Sequence, residues 1–304
     1  MNIYIKSFNR PFYLDRCIRS IKFNVSNYSN IIVLDDGTLG KYIEKLKQSH
    51  PDVRWIFSNA DDNKFELLRQ EKFDEIKKRY IEPAKFWVTE IQKEKDDYFL
   101  MLEDDTWIVK SFCLNTIEKN LIKNECIFLK FWWPIGDEKL IVTQKYNLPD
   151  DIKSIDYYKA GITTMNDIYK IWIVAFAVFR KDYWLNNFKK VQRMGDEQTQ
   201  LIEAYNFVKD KINITFSKSS HKWVYQGWVI PGRATPEYYD KGLIQHLYMH
   251  ALNEAWYNNE MDVTQGYPYD FDDDYISKVL QKYLPQQSID VWKKWKSTDT
   301  IYAY

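Results

Sequence analysis

The first 133 residues alternate between short apolar runs and amphipathic or charged stretches, and this alternation limits the fold more than any other feature of the sequence. The largely apolar runs, each short enough for one strand, lie at residues 2–5, 31–34, 53–57, 98–102 and 126–133. The stretches between them carry apolar residues at helical spacing. Strands that alternate with helices indicate a largely parallel sheet with helices on both faces, so we expect an α/β fold.

The pattern changes after residue 133. Residues 134–170 are rich in Tyr and Asp, and we interpret them as an irregular loop over a site. The remaining elements predicted before Pro236 are a buried strand at 171–179, helices at 181–191 and from Gly195 to about 210, and a short strand at 212–216. Beyond Pro236 strand signals are few. We therefore predict one α/β domain over 1–233 and a mainly helical C-terminal region over 234–304.

Charge balance and cysteine content narrow the function classes. Basic and acidic residues number 43 each, so no net positive field draws the chain to nucleic acid. The three cysteines form no C-x-x-C pair, which argues for a reducing compartment. The N-terminus shows no secretory signal pattern, and the longest apolar run is half of the ~18 residues that cross a bilayer. We expect a cytoplasmic protein, or one peripheral to the inner face of the membrane.

The run from Tyr98 to Leu102 ends in three consecutive acids, Glu103, Asp104 and Asp105. In open α/β sheets, ligands bind beyond the carboxyl ends of the strands. Carboxylates at that position bind a divalent cation and leave coordination positions for a diphosphate. The alternative is a strand that ends in solvated acids, which requires all three side chains to be exposed because buried charges without partners are costly.

Two further loops follow predicted strands. The segment Ser7–Pro11 follows the first strand, and Asp35-Asp36-Gly37 follows the second. If these strands pair, the loops are neighbours, and a base and ribose fit between them. Each loop also has a purely structural explanation. The proline of the first loop marks the start of a helix, and Asp-Asp-Gly in the second loop is a common turn sequence.

Two segments in the second half carry weaker signals. Gly195-Asp196-Glu197 opens a predicted helix, where Asp and Glu are favoured by the helix terminus alone. Near the C-terminus, Ile289, Trp292 and Trp295 share one side of a predicted helix beside lysines, a composition found at membrane interfaces. The alternative is a final helix docked on the body of the protein.

Taken in order, these motifs resemble those of nucleotide-sugar glycosyltransferases of the GT-A fold, in particular inverting, family-2-like enzymes. The resemblance covers about residues 1–233. It implies a three-layer sandwich with a mostly parallel central sheet, a nucleotide-binding half over 1–105 and an acceptor-binding half over 106–233. The acidic triplet, Glu103-Asp104-Asp105, stands at the position of the family's DXD motif.

The resemblance also implies roles for individual residues. Asp105 binds Mn²⁺ or Mg²⁺, while Glu103 and Asp104 contact the ribose, the sugar, or the metal and its waters. The nucleotide contacts implied by the two loops are Ser7, Asn9, Arg10 and Asp35 or Asp36. Glu197 or Asp196 serves as the catalytic base, and His221 is a further candidate metal ligand. His246 and His250 lie four residues apart but lack a third ligand at a matching spacing, so we treat them as structural.

The activity implied is transfer of a sugar from a nucleotide sugar, expected to be UDP-linked, to a hydroxyl of a saccharide acceptor, with inversion, in bacterial-type surface polysaccharide synthesis. Aromatic candidates for stacking on the acceptor are Trp132, Trp133, Trp223 and Trp228. A sugar-nucleotide pyrophosphorylase is an alternative, but the first loop has no glycine to cradle a triphosphate. A non-catalytic carbohydrate-binding or scaffold protein of the same fold is a third possibility.

Overall fold

The protein is described here from a computed structural model that covers residues 1–70, 72–131, 141–146, 155–191, 196–229 and 242–299. Its strands are β1 (Ile3–Ser7), β2 (Val25–Ser26), β3 (Ile31–Asp35), β4 (Arg54–Phe57), β5 (Tyr98–Glu103), β6 (Thr106–Ile108), β7 (Phe112–Cys113), β8 (Phe128–Lys130), β9 (Val142–Tyr146), β10 (Ile155–Ala160), β11 (Ala177–Arg180), β12 (Ile214–Ser219) and β13 (Val224–Gln226). Its helices are α1 (Pro11–Asn24), α2 (Gly40–Ser49), α3 (Asn63–Arg69), α4 (Phe73–Arg79), α5 (Pro83–Ile91), α6 (Leu114–Lys123), α7 (Met165–Ile171), α8 (Lys181–Phe188), α9 (Glu197–Val208), α10 (Gly242–Tyr257), α11 (Asp273–Leu280) and α12 (Gln286–Asp299).

A nine-stranded sheet organises the chain, in the order β4-β3-β1-β5-β11-β8-β12-β10-β9. The pairs β3–β4, β1–β3 and β1–β5 are parallel, whereas β10 and β11 run against the other seven strands. The prediction of an α/β fold with a mostly parallel central sheet is confirmed. Two small sheets, β13–β6 and β2–β7, lie outside it.

Strands β1 and β3 are buried along their whole length, although their last residues, Lys6, Ser7 and Asp35, are polar. Side chains such as Ile3, Ile5 and Leu34 are completely inaccessible, and each contributes about 1.5–3 kcal/mol by leaving water. Helix α1 begins with Pro11 at its first position, where the missing N–H costs no hydrogen bond.

The C-terminal helices pack on the first helices of the chain. Nδ2 of Asn253 in α10 donates to the carbonyl of Asn9 (3.0 Å), and the hydroxyl of Tyr42 in α2 contacts Glu254 at 2.5 Å. The guanidinium of Arg16 in α1 donates to the carbonyls of Val263, Gln265 and Tyr269 and lies 4.2 Å from the ring of Trp107. The domain boundary predicted at 233 stays a prediction, but α1 and residues 242–299 share one hydrophobic core.

Several predicted elements are wrong in place or type. The predicted strand over 171–179 is shorter, because α7 includes Ile171 and the left-handed backbone of Phe176 (φ 43°) delays the strand until Ala177. Residues 134–170 are not irregular where the structure describes them, since they contain β9, β10 and α7. A capping box between Thr164 and Asp167 starts α7, and that signal was missed.

Other differences concern burial. Phe73, predicted to pack on the sheet, is 54% exposed, and α4 buries none of its residues. The predicted strand from Ile212 begins at Ile214, is followed by β13 and is not the last strand. All three cysteines are free, but Cys113 is only partly buried, unlike Cys17 and Cys126. Within the described residues, no helix combines the length and apolarity needed to cross a bilayer.

Candidate active site

Three loops converge at one edge of the sheet. In the register of the parallel strands, Ser7 lies opposite Asp35 and Lys6 lies opposite Glu103. The loops that leave β1, β3 and β5 are therefore neighbours at the strand carboxyl ends, as the sequence predicts. This edge brings together the candidate nucleotide loops and the acidic triplet.

The acids of the triplet have partners on β1 and in the loop that follows it. Oε1 of Glu103 lies 2.9 Å from Nζ of Lys6, which projects from β1. Oδ2 of Asp104 accepts a hydrogen bond from the backbone N–H of Phe8 (3.0 Å), and Asp104 is completely buried. The interpretation of the triplet as solvated strand-ending acids is therefore wrong for Asp104 and Asp105, both of which are buried.

Arg10 joins the two aspartates. Its Nη1 lies 2.5 Å from Oδ2 of Asp105, and its Nη2 forms an ion pair with Oδ1 of Asp104. Burial raises the pKa of Asp104 to about 7, because the opposing effect of Arg10 is partly offset by the charge of Asp105. Burial also raises the pKa of Asp105, again against Arg10. Oδ1 of Asp105 is buried without a hydrogen-bond partner in the described residues.

The structure separates Asp35 from Asp36. The carboxylate of Asp35 accepts from the N–H groups of Gly37 (3.0 Å) and Thr38 (2.9 Å) and from the Thr38 hydroxyl (2.5 Å), so it serves its own turn. The carboxylate of Asp36 instead pairs with Nζ of Lys64, which also donates to the Asp36 carbonyl at 2.9 Å. Burial raises the pKa of Asp36, and Lys64 opposes this shift.

Lys64 was not among the site residues predicted from the sequence. Its side chain is buried, and its ammonium lies 5.0 Å from the ring centre of Phe8. A lysine in a charged stretch gives no local signal of burial, because the contact with Asp36 depends on how β3 and β4 place their loops.

Asn9 takes an unusual backbone conformation between β1 and α1. Its φ is 49°, in the left-handed region that Asn tolerates better than most residues. The N–H of Asn9 donates to the hydroxyl of Thr38 (2.8 Å), which ties the first loop to the second. Oδ1 of Asn9 and Oγ of Ser7 are buried without hydrogen-bond partners in the part of the chain described. The first two loops are also in contact through the backbone N–H of Asp36, which donates to the carbonyl of Ser7 (3.0 Å).

The start of α9 distinguishes the two candidate bases. Oδ1 of Asp196 accepts from the N–H of Thr199 (3.1 Å), so Asp196 caps the helix. Glu197 is exposed, and its pKa is raised by partial burial of its carboxyl and by the charge of Glu103, with Lys6 opposing. Glu197 is therefore within electrostatic reach of the triplet. Gly195 lies outside the described residues.

The structure does not bring His221 to Asp105. In the β13–β6 pair Gln226 lies opposite Thr106, and the backbone pairing continues away from Asp105 to Trp223. His221 lies two residues further along and is exposed. Over the described ranges, no group of three His, Cys, Asp or Glu side chains is arranged to hold a metal ion. The side chain of His246 lies outside those ranges.

The predicted aromatic residues have different environments. Trp223 is buried and stacks on Phe112 and Phe131 at centroid distances of 5.0 and 5.5 Å, so it is a core residue. Trp228 is half-buried. Trp132 and Trp133 lie outside the described residues.

A clasp beneath the triplet, formed by Gly227, Tyr13 and Asp270, was not predicted. The N–H of Gly227 donates to the carbonyl of Asp105 (2.7 Å), and a Cβ at this glycine would lie 2.2 Å from the Tyr13 ring. The Tyr13 hydroxyl contacts the Asp270 carboxylate at 3.2 Å, and Asp270 also accepts from the N–H of Trp228 (2.5 Å). Residues distant in sequence thus position the backbone of Asp105.

A separate cavity lies at the opposite end of the sheet. It has a volume of about 380 Å³, and its lining includes Tyr4, Arg54 and Glu94. The Tyr4 hydroxyl donates to Glu94 at 2.7 Å, so this region is held by its own hydrogen bonds. None of the predicted site residues lines it.

No protein-family model matches this sequence, and no curated protein matches it either. Solved structures show weak similarity. The S. aureus TarS fragment 1–349 in complex with UDP-GlcNAc is 11% identical, with a TM-score of 0.46 over 93% of this chain and 70% of that chain. Glucosyl-3-phosphoglycerate synthase from Mycobacterium tuberculosis, in complex with Mn²⁺ and UDP-glucose, is 12% identical, with a TM-score of 0.44 over 86% of this chain and 79% of that chain.

A CMP:2-keto-3-deoxy-manno-octonic acid synthetase complexed with CTP is 13% identical, with a TM-score of 0.39 over 80% of this chain and 96% of that chain. With TM-scores below 0.5, none of these similarities establishes an activity. The chain itself has a mixed α/β architecture with a large, mostly parallel central sheet.

Proposed function

We propose that this chain is a glycosyltransferase that moves a sugar from a nucleotide sugar, UDP-linked, to a hydroxyl of a saccharide acceptor with inversion. The observation that supports this most directly is the meeting of three loops at the carboxyl ends of β1, β3 and β5. Those loops supply one buried carboxylate paired with a lysine, Asp36 with Lys64, and two paired with an arginine, Asp104 and Asp105 with Arg10.

In this proposal Asp36, rather than Asp35, contacts the base. Both oxygens of Asp35 are engaged in its own turn, which leaves them less able to accept a new bond. Ser7 and Asn9 carry buried side-chain oxygens without partners in the described residues, and buried polar atoms of that kind are costly unless a ligand engages them. We therefore assign both to nucleotide binding.

The acidic triplet fits a divalent cation. Oδ1 of Asp105 is a buried acceptor without a hydrogen-bond partner in the described structure, and carboxylate oxygens are the ligands that Mg²⁺ and Mn²⁺ prefer. Mg²⁺ usually takes only one or two carboxylates and completes its coordination with phosphates and water. Asp105 would hold Mn²⁺ or Mg²⁺, with Glu103 or Asp104 in support. The ion supplies charge neutralisation of the diphosphate leaving group.

Glu197 is the proposed base that removes the proton from the acceptor hydroxyl. Its raised pKa brings it closer to the operating pH, which favours proton transfer. The hydroxyl then attacks the anomeric carbon from the side opposite the diphosphate, so one displacement inverts the configuration. Asp196 is less suited because its carboxylate caps α9. His221 stays a candidate metal ligand only if its loop moves, because it lies away from Asp105.

We further propose the division into a nucleotide-binding half over 1–105, an acceptor-binding half over 106–233 and a C-terminal helical region over 234–304. The proposed setting is synthesis of bacterial-type surface polysaccharide in the cytoplasm. The balanced charge of 43 basic and 43 acidic residues gives no reason to assign a nucleic-acid partner.

The test is a panel of nucleotide sugars incubated with the protein and Mn²⁺, with release of nucleoside diphosphate as the readout. We expect release with one UDP sugar, and faster release once the right saccharide acceptor is added. A pyrophosphorylase would instead release pyrophosphate from a nucleoside triphosphate and a sugar phosphate. A non-catalytic binder would retain saccharide without turnover. The proposal is overturned if none of the nucleotide sugars binds to the protein or is turned over.

A further inference from the structure

Arg10 lies where its positive charge is shared between two carboxylates of the triplet. One amino group of its guanidinium contacts Asp104 and the other contacts Asp105, at 2.5 Å in the second case. The guanidinium is planar and remains charged at all physiological pH values, so this fork holds both aspartates at once. Any divalent cation that binds these carboxylates meets a cation already in contact with them.

We propose that Arg10 and a divalent cation compete for Asp104 and Asp105, and that the displaced guanidinium binds the diphosphate of the donor. The proposal rests on the proposed function, because it concerns the same ligands. It assigns Arg10 two successive partners, first the carboxylates and then the phosphates. Guanidinium groups bind phosphate oxygens as readily as carboxylates, since the donor fork matches both.

The backbone around Arg10 permits this exchange. Arg10 precedes α1 and has non-helical dihedral angles, φ −125° and ψ 57°, while Pro11 fixes the first helical position. The Arg10 side chain is 31% exposed, whereas that of Asp104 is inaccessible. Asp104 also keeps its bond from the N–H of Phe8 at 3.0 Å. The arginine can therefore swing outward while the carboxylates stay in place.

The charge balance gives the exchange a direction. Glu103 is already paired with Lys6, so Arg10 is the cation shared by the two remaining carboxylates. A donor diphosphate brings further negative charge to this edge of the sheet. The two carboxylates and the diphosphate together carry enough negative charge to bind both a divalent ion and the guanidinium. Without the diphosphate, the two cations compete for the same two carboxylates.

The test measures binding of Mn²⁺ alone by calorimetry and by electron paramagnetic resonance, without nucleotide. The proteins are the wild type, Arg10→Ala and Arg10→Lys, with Arg19→Ala as a matched control. Arg19 lies in α1, the helix that Arg10 precedes, and pairs with Asp15, away from the triplet. Circular dichroism and thermal unfolding confirm that each variant is folded. UDP binding in the presence of Mn²⁺ is then measured for the same set.

We expect Arg10→Ala to bind Mn²⁺ roughly tenfold more tightly than the wild type, because its competitor is gone. The same variant should bind UDP at least about tenfold more weakly in the presence of Mn²⁺. Arg10→Lys should fall between these proteins in both measurements, since a lysine keeps the positive charge but lacks the planar fork that contacts both carboxylates. Arg19→Ala should match the wild type.

Equal or weaker Mn²⁺ binding by Arg10→Ala, with wild-type binding intact, overturns the competition while the glycosyltransferase proposal stands. Absence of Mn²⁺ binding in all variants overturns the competition and the proposed metal site together. Tighter Mn²⁺ binding with unchanged UDP binding overturns the second role of Arg10. If Arg10 had only a structural role, Arg10→Ala would bind both Mn²⁺ and UDP more weakly. The change in Mn²⁺ affinity would then be opposite to the one we expect.

Discussion

Nε2 of His50 and Oδ1 of Asp15 lie 2.8 Å apart in the core of the protein. Oδ2 of Asp15 accepts a hydrogen bond from Nε1 of Trp256 at 2.9 Å, and Arg19 completes the set with a contact of 2.6 Å to Oδ1. A single carboxylate on α1 therefore connects the end of α2 with α10. The three partners outweigh the effect of burial, and the pKa of Asp15 is lowered.

The first prediction concerns stability and pH. Because the folded-state pKa of Asp15 lies below its unfolded value, its contribution is present above about pH 4 and is lost as the pH falls through the lowered folded pKa. Asp15→Asn should reduce the free energy of unfolding at pH 7 by about 1–3 kcal/mol. Urea unfolding at pH 7 and near pH 3 should show that the difference from the wild type shrinks in acid. A difference that does not change with pH would contradict this assignment.

The second prediction concerns Asp105. Asp105→Asn should lower nucleotide-sugar turnover about a hundredfold or more, since several kcal/mol of leaving-group stabilisation depend on its charge. The far-ultraviolet circular dichroism spectrum should be unchanged. Asp52→Asn is the control, because Asp52 is 58% exposed and lies in a surface pair with Lys22. Turnover by Asp105→Asn at the wild-type rate would remove Asp105 from the site.

The third prediction separates Glu197 from Asp196. Glu197→Gln should lower kcat by about 10²-fold or more with little change in stability, as expected when a general base is lost. Asp196→Asn should leave kcat within a few fold, because asparagine is also a good helix cap. The measurements are steady-state kinetics and thermal unfolding of both variants. The reverse pattern would make Asp196 the base.

The fourth prediction tests the clasp beneath the triplet. Gly227→Ala places a Cβ 2.2 Å from the Tyr13 ring, so the segment must move and the protein should lose about 1–3 kcal/mol of stability. Gly161→Ala is the matched control, since its Cβ meets only Thr143 at 3.9 Å. Denaturant unfolding of the two variants provides the comparison. Equal stability of both would show that Gly227 is not confined by Tyr13.

The fifth prediction concerns α12. Ile289 and Trp292 are fully buried, and Nε1 of Trp292 donates to the carbonyl of Val229 at 2.8 Å, so the alternative in which these two residues face a membrane is wrong. Trp292→Ala should cost about 3–5 kcal/mol of stability. Val291→Ala, at a 37% exposed position, should change stability little. The wild-type protein should not co-sediment with liposomes.

The sequence predicts the N-terminal strands of the sheet well because each signal there is local. The run at residues 31–34 is apolar throughout and ends in Asp-Asp-Gly, so strand and turn follow from adjacent residues. The same holds for Pro11, whose position marks the start of α1. Where structure depends on distant contacts, prediction fails. Neither Phe176 nor Ile171 carries a local sign that the strand begins only at Ala177.

The candidate site shows the same limit. The convergence of Arg10 with Asp104 and Asp105 follows from pairing of β1 with β5, but the fork between the two carboxylates does not. Lys64 and Asp270 were missed because each meets its partner across a long stretch of chain. His221 was predicted from the family resemblance and its position in a loop, and the register of β13 with β6 places it away from Asp105.

The packing of α1 against the C-terminal helices has a consequence for how the protein is made. Residues 1–105 are synthesised before their partners near the C-terminal helices. Asp15 gains its hydrogen bond from Trp256 and Tyr13 gains its contact with Asp270 only after those residues are made. The carbonyl of Val229 likewise gains its donor only when Trp292 has been made. The loops around the candidate site that are synthesised early are therefore held in place only after residues 256–292 have been made. A nascent or truncated chain exposes the apolar side of α1, which makes it a substrate for chaperones and proteases until the last helix arrives.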